Sequence, residues 1–329
     1  NDGALAIDAI DDTQLYIASD LAIGQITHDP TTGFPSPAGE EMGNAIGTRL
    51  LGLGYNLSVW NRTSEKTTGL VNAGATLCSS PKILAESVDV VLTLLTNESA
   101  LDDVYSGPDG LLSGLVKQKI FIDMSTVKPA KPKEMAERAQ AVGGVFLECP
   151  VGGSVGPAKE GKLLGFVGGD SADVEKVKPL LDQLCKRVEH VGTYGAGSTV
   201  KLAVNLPLMV YWQTLGESLS LVEPLGIDPN RMIDILSDSS GGPNMLKVRG
   251  SMIAQALQNK KSEQVTVSVS TMRKDMRAMI DQAQATERQL PLTSLALAQF
   301  NAAAQSGLDE KDCSELPVWW LATGSHQTQ

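Results

Sequence analysis

The chain has 329 residues, more than a single hydrophobic core usually sustains, so two domains are expected. Its 42% hydrophobic and 20% charged residues describe an ordinary soluble globular protein, and no apolar run reaches the roughly 18 to 20 residues of a membrane span. A formal net charge of -11 excludes nonspecific binding to nucleic acid or to an anionic membrane surface, because both need basic patches.

Residues 1 to 41 form a distinct acidic segment that holds Asp and Glu but no Lys or Arg. A secretory or organellar leader is basic, so neither is expected here. Gln14 to Ser19 and Leu21 to Ile26 predict two short strands, and Pro30 to Pro37 a loop.

From Met42 helices and strands alternate. Ala45 to Leu53 reads as a helix closed by a turn at Leu51-Gly52-Leu53-Gly54, Tyr55 to Trp60 as a strand, and Lys66 to Asn72 as a helix. Val88 to Leu95 (VDVVLTLL) is a continuous apolar strand of the kind buried on both faces. Strands follow at Ile120 to Met124, Val145 to Glu148, Leu164 to Val167 and Val188 to Val191, with a helix over Pro132 to Val142. This order predicts an α/β fold with a doubly wound, mostly parallel sheet over residues 42 to 193, whose ligands sit at the carboxyl ends of the strands.

Gly195 to Gly226 is the longest helix candidate, about 27 residues or about 40 Å, long enough to join two domains. It carries Lys201 and Asn205 four residues apart, one turn apart on one face. Beyond Gly226 strand signals fade. Arg231 to Ser237, Asn244 to Gln258, Thr266 to Thr286 and Leu292 to Ser306 predict an all-helical domain over residues 227 to 329.

Cys78, Cys149, Cys185 and Cys313 are scattered and form no CxxC pair, and His28, His190 and His326 are isolated. No metal site is expected, and the thiols read as reduced, mostly buried side chains of a cytoplasmic protein.

The strand ends point to a nucleotide site. Asn61, Arg62 and Thr63 end the strand after the first helix, where an acidic residue would select NAD and an arginine NADP. They favour NADP(H), with NAD(H) as the second choice. Upstream, the GxGxxG fingerprint survives only in fragments around Gly39, Met42 and Gly43; Ala38 and Glu40 stand where two of its glycines belong.

Met42 to Thr63 (MGNAIGTRLLGLGYNLSVWNRT), Asp123 to Pro129 (DMSTVKP), Pro150 to Gly161 (PVGGSVGPAKEG), Gly195 to Asn205 and Lys274-Asp275 resemble, in order and spacing, the β-hydroxyacid dehydrogenase family. That group includes 3-hydroxyisobutyrate dehydrogenase and the glyoxylate and succinic semialdehyde reductases. The resemblance covers residues 42 to about 320. It implies a Rossmann-like domain, an interdomain helix over residues 194 to 226, and a helical domain that mediates homodimer or homotetramer formation. It makes Lys201 the catalytic acid/base and Asn205 its neighbour in substrate binding. Ser125, Gly152 and Gly153 become contacts to a small carboxylate-bearing substrate, with Thr126 nearby. Leu95 and Thr96 would line the cofactor, and Lys274 would approach the nicotinamide ribose end.

The chemistry is consistent with these residue types. Hydride reduction of a carbonyl builds negative charge on oxygen, which a lysine ammonium can stabilise and then protonate; the reverse reaction needs the neutral amine. An amide one turn away carries no charge and suits orientation.

Four rivals compete with this reading. Gly152 to Gly156 satisfies GxSxG, which would make Ser154 the nucleophile of a serine hydrolase, but its histidine partners are poorly placed. Gly156 to Lys162 fits GxxxxGK, yet Leu163 stands where magnesium binding needs Ser or Thr. An imine reductase of the same fold would generally lack the helix lysine. Outside enzymes altogether, a binding or scaffold protein could have kept the fold and lost the cofactor.

Overall fold

The computed structural model describes Leu15–Ser19, residues 38–260 and residues 265–324. The expected strand at 21–26, the expected loop at 30–37, His28 and His326 lie outside the described residues.

The chain folds as two units, and the boundary between them falls between Lys201 and Leu202. The first holds β1 (Leu15–Ser19), α1 (Ala38–Gly52), β2 (Ser58–Trp60), α2 (Thr68–Asn72), β3 (Thr76–Leu77), α3 (Pro81–Glu86), β4 (Val90–Leu94) and α4 (Glu98–Ser106). It continues with β5 (Ile120–Asp123), α5 (Ala130–Ala141), β6 (Val145–Glu148), β7 (Val151–Gly152), α6 (Val155–Glu160), β8 (Leu163–Gly168), α7 (Ser171–Leu184) and β9 (Cys185–Gly192).

The strands form one sheet in the order β3-β2-β1-β4-β5-β6-β8-β7, with β9 also paired to β8. Pairing is parallel from β3 through β6 and between β8 and β9, and antiparallel where β8 meets β6 and β7. The acidic N-terminal segment therefore supplies the central strand: β1 pairs along its whole length with β4, from Leu15 opposite Val90 to Ser19 opposite Leu94. The strand order reverses between β1 and β4, the place where open sheets of this kind bind ligands outside the carboxyl ends of their strands.

The uninterrupted apolar run of β4 follows from burial on both faces. Val90, Leu92 and Leu94 join one core with Ile46 and Leu50 of α1 and Leu180 and Leu181 of α7. Val91 and Leu95 face the other, with Leu101 and Tyr105 of α4 and Met135 of α5. The Tyr105 ring lies 5.8 Å from Phe121 and 5.9 Å from Phe146.

Helix α1 begins at Ala38, upstream of the expected Ala45. The alanine and glutamates of Ala38-Gly39-Glu40-Glu41 are good helix formers and carry the helix back beyond the apolar pattern. Gly39, Met42 and Gly43 thus lie inside the helix instead of in a loop before it, with Met42 packed against the core. The turn after α1 is as expected, with Gly54 at a φ of +88°.

Helix α8 (Ala196–Val222) has 27 residues, as the spacing predicts, and a short 3-10 turn leads to Gly226 in the left-handed conformation. The second unit continues with α9 (Pro229–Asp238), α10 (Asn244–Leu257), α11 (Val269–Ala285), α12 (Pro291–Ala303) and α13 (Leu316–Gly324). Trp212, Leu215, Met272, Met276, Phe300 and Leu316 form its core. A Cβ on Gly216 would come within 3.0 Å of the Trp320 ring, so the small residue lets α8 and α13 pack closely.

Candidate active site

Parallel register sets a polar row across the carboxyl edge of the first unit's sheet. Thr93 of β4 lies opposite Asp123 of β5, which lies opposite Glu148 of β6. All three are buried, in positions flanked by apolar residues of both cores. Asp123 Oδ1 accepts hydrogen bonds from Thr93 Oγ1 at 2.7 Å and from Ser125 Oγ at 2.6 Å. Burial still pushes its carboxyl up to about 6, and the nearby Glu148 charge adds to the rise.

Ser125 follows directly from this row. Its Oγ donates to Asp123 and accepts from the Leu95 N–H at 2.7 Å, so the expected cofactor-lining Leu95 and substrate-binding Ser125 are joined by a hydrogen bond. Thr96 and Thr126, the next residues on the two strand ends, are half-buried.

Glu148 clamps the start of α8. Its Oε1 accepts from the N–H groups of Gly195 at 2.5 Å and Gly197 at 3.0 Å, and its Oε2 from the N–H of Ser198 at 3.0 Å and the Ser198 hydroxyl at 2.6 Å. A carboxylate here satisfies N–H groups that a helix start leaves without an intrahelical partner and sits at the positive end of the helix dipole. Burial raises the Glu148 carboxyl above the usual range, and these hydrogen bonds oppose the rise. The approach is close: a Cβ on Gly197 would fall 2.3 Å from the Phe166 carbonyl oxygen and 3.1 Å from Glu148 Cδ. Lys201, three residues beyond Ser198, is 8% exposed. Asn205, one turn on and half-buried, belongs to the second unit, as does Lys274, whose Nζ lies 3.1 Å from Asp275 Oδ1.

Gly152 ends β7, and Gly153 has a φ of +130° with only 2.8 Å between an added Cβ and Leu163 Cδ2. Only glycine fits at 153. The next residue, Ser154, is extended (φ -127°) and exposed at the start of α6, without the strained serine that a nucleophile elbow needs. His190 Nε2 sits 3.0 Å from the carbonyl oxygens of Gly169 and Gly192, which occupy it with backbone.

At the end of β2, the buried Asn61 accepts the Thr63 N–H at 2.8 Å through Oδ1, while its buried Nδ2 has no partner among the described residues. The exposed Arg62 lines a cavity of about 300 Å³ with Trp60, Pro81, Asp103, Val104 and Pro108. Arg62 thus stands at a cavity at the carboxyl end of β2, next in sequence to a buried amide donor. Among the described residues, no group of three or more His, Cys, Asp or Glu is arranged to hold a metal ion.

The sequence expectations include neither Asp123 nor Glu148 as site residues. The available signal was a single acidic side chain at the carboxyl end of each otherwise apolar strand, IFID and VFLE.

Comparison with known proteins follows the same division. Residues 40–192 match the NAD-binding domain of 6-phosphogluconate dehydrogenase, and residues 195–319 match the NAD-binding domain of NADP-dependent 3-hydroxyisobutyrate dehydrogenase. The chain is 30% identical to glyoxylate/succinic semialdehyde reductase 2 of Arabidopsis thaliana over 83% of its own length and 75% of that protein. It is also 30% identical to 3-hydroxyisobutyrate dehydrogenase of Pseudomonas aeruginosa, over 82% of its length and 91% of that protein. The chain belongs to the β-hydroxyacid dehydrogenase family. The crystal structure of 3-hydroxyisobutyrate dehydrogenase from Salmonella typhimurium shares the fold, with a TM-score of 0.79 at 23% identity over 93% of this chain and all of that one. The first unit is accordingly the Rossmann-like, NAD(P)-binding part of a β-hydroxyacid dehydrogenase. Among the described residues no helix is long and apolar enough to cross a membrane.

Proposed function

We propose that this β-hydroxyacid dehydrogenase is an NADPH-preferring oxidoreductase that interconverts a short-chain hydroxy acid and its semialdehyde or oxo acid, with Lys201 as general acid/base. The observation that carries the reading is a nearly buried lysine in the second turn of a helix whose start is clamped by Glu148 at the carboxyl edge of the NAD(P)-binding sheet.

The nicotinamide cofactor, when bound, supplies or removes the hydride at the substrate carbon. Lys201 holds the mobile proton: its ammonium donates to the alkoxide formed in reduction, and its neutral amine takes the hydroxyl proton in oxidation. The Glu148 clamp fixes the backbone that carries Lys201, so the proton is delivered from one position. Ser125, Gly152 and Gly153 bind the substrate carboxylate, with Thr126 beside them. Asn205 orients the substrate from the next turn of α8, and this role rests on the family resemblance.

Arg62 is the proposed partner of the 2′-phosphate, with Asn61 and Thr63 as neutral donors. Leu95 and Thr96 line the cofactor, and the first turns of α1, with Gly39, Met42 and Gly43, supply what replaces the glycine loop; the role of Lys274 at the nicotinamide ribose rests on the family resemblance alone. Free, buried cysteines support a reducing compartment such as the cytoplasm. Leu221 and Leu225, 83% and 67% exposed, support a homo-oligomer that covers them.

The test mixes the protein with NADPH or NADH and a panel of succinic semialdehyde, methylmalonate semialdehyde, glyoxylate and tartronate semialdehyde. Turnover of at least one with NADPH is expected. Failure to bind either nucleotide refutes the reading.

A further inference from the structure

The hydrogen bonds around Ser125 run in one direction only. A serine hydroxyl has one proton and two lone pairs. The Ser125 proton is committed to Asp123 Oδ1 at 2.6 Å, and one lone pair accepts the Leu95 N–H at 2.7 Å. Thr93 commits its own proton to the same Oδ1 at 2.7 Å, so Tyr105, whose hydroxyl lies 3.0 Å from Thr93 Oγ1, must donate to Thr93. Every proton in the chain Tyr105, Thr93, Asp123, Ser125 thus points toward the Asp123 carboxylate. All four side chains are buried.

A substrate carboxylate arriving at Ser125 therefore meets a lone pair where it needs a hydrogen. The conflict is relieved when Asp123 takes up a proton. Its new O–H donates to Ser125 Oγ, and the serine hydrogen turns to the ligand. We propose that Asp123 is a positioning residue that couples carboxylate binding at Ser125 to the uptake of one proton by Asp123. The proton comes from solvent, stays on Asp123 while the ligand is bound and returns to solvent on release. This coupling rests on the assignment of Ser125 to the substrate carboxylate.

The surroundings favour it. Asp123 is faced by Thr93 and Tyr105 on one side and by the acidic Glu148 on the neighbouring strand, with Cys149 next along that strand. Among these groups only negative charge develops, which favours a protonated Asp123. Burial raises its carboxyl to about 6, within reach of a ligand-driven shift.

The experiment titrates the NADPH-saturated protein with glycolate by calorimetry, in phosphate and in Tris, from pH 6 to 8.5. The buffer dependence of the heat counts protons. An uptake approaching one proton per glycolate is expected above pH 7, with affinity falling toward tenfold per pH unit. In Asp123→Asn the amide N–H replaces the carboxylic O–H, so binding should persist with no uptake and a flat pH profile. Ser125→Ala should bind more weakly and also lose the uptake, which keeps the test valid should the asparagine variant fail to fold. Glycolate binding to the unaltered protein with neither uptake nor pH dependence overturns the coupling alone. Absence of glycolate binding while NADPH still binds overturns the Ser125 assignment and the coupling together.

Discussion

Replacing Glu148 with glutamine tests whether the α8 start is held by this one side chain. The carboxylate accepts four hydrogen bonds, two on each oxygen, all from residues 195 to 198. An amide offers one oxygen. In its better orientation the carbonyl keeps the Gly195 and Gly197 N–H groups, and the NH₂ faces Ser198. The Ser198 hydroxyl can rotate to accept from it, but the Ser198 N–H is left without an acceptor in a buried site. Orphaning one buried donor costs about 1–3 kcal/mol, and turning two charge-assisted bonds into neutral ones removes about 1 kcal/mol each. Relief of the buried charge offsets part of this, so Glu148→Gln should lose about 2–4 kcal/mol. Urea unfolding should show a lower midpoint at unchanged slope. Because Lys201 stands three residues past Ser198, kcat should fall while KM for NADPH holds. A variant within about 0.5 kcal/mol of the parent, with normal kcat, would refute the clamp.

Lys201→Ala should lower kcat by about 10²–10⁴-fold while changing NADPH affinity little; stopped-flow and fluorescence titration separate the two, and full turnover in the variant would sink its role as acid/base. Arg62→Asp should shift the kcat/KM ratio toward NADH, and an unchanged ratio would remove Arg62 from the phosphate site. The Asp123 carboxyl, raised from its ordinary 3.8 to about 6, contributes stability that is full below about pH 3.8 and lost as pH rises through about 6. A shift of roughly two units corresponds to about 3 kcal/mol, so Asp123→Asn should flatten the parent's stability profile between about pH 4 and 6.5 in chemical denaturation. A parent profile that is already flat there would contradict the buried charge.

Much of the first unit was legible in the chain because local pattern and tertiary environment agree. The run VDVVLTLL reads as a strand buried on both faces, and β4 alternates its side chains between two cores. The 27-residue length of α8 follows from its glycine-bounded pattern, and the four-residue spacing of Lys201 and Asn205 holds in any regular helix. The start of α1 was not legible from apolar periodicity, since Ala38 to Glu41 contribute helix propensity and no apolar stripe.

What the sequence determined by itself was the element order and the two classes of unit, because these depend on periods of two and 3.6 residues within short windows, while Lys201 became a candidate through the motifs that resemble the family. Only the tertiary structure decided that Leu15–Ser19 pair inside the sheet between β2 and β4, and that Thr93, Asp123 and Glu148 stand side by side. Those residues are separated by whole crossover helices, and the register between parallel strands is set by how the helices pack, not by any local pattern. The same register gives Ser125 the Leu95 N–H and α8 its clamp, so the surroundings of Ser125 and of the start of α8 depend on contacts between residues about 30 to 50 positions apart.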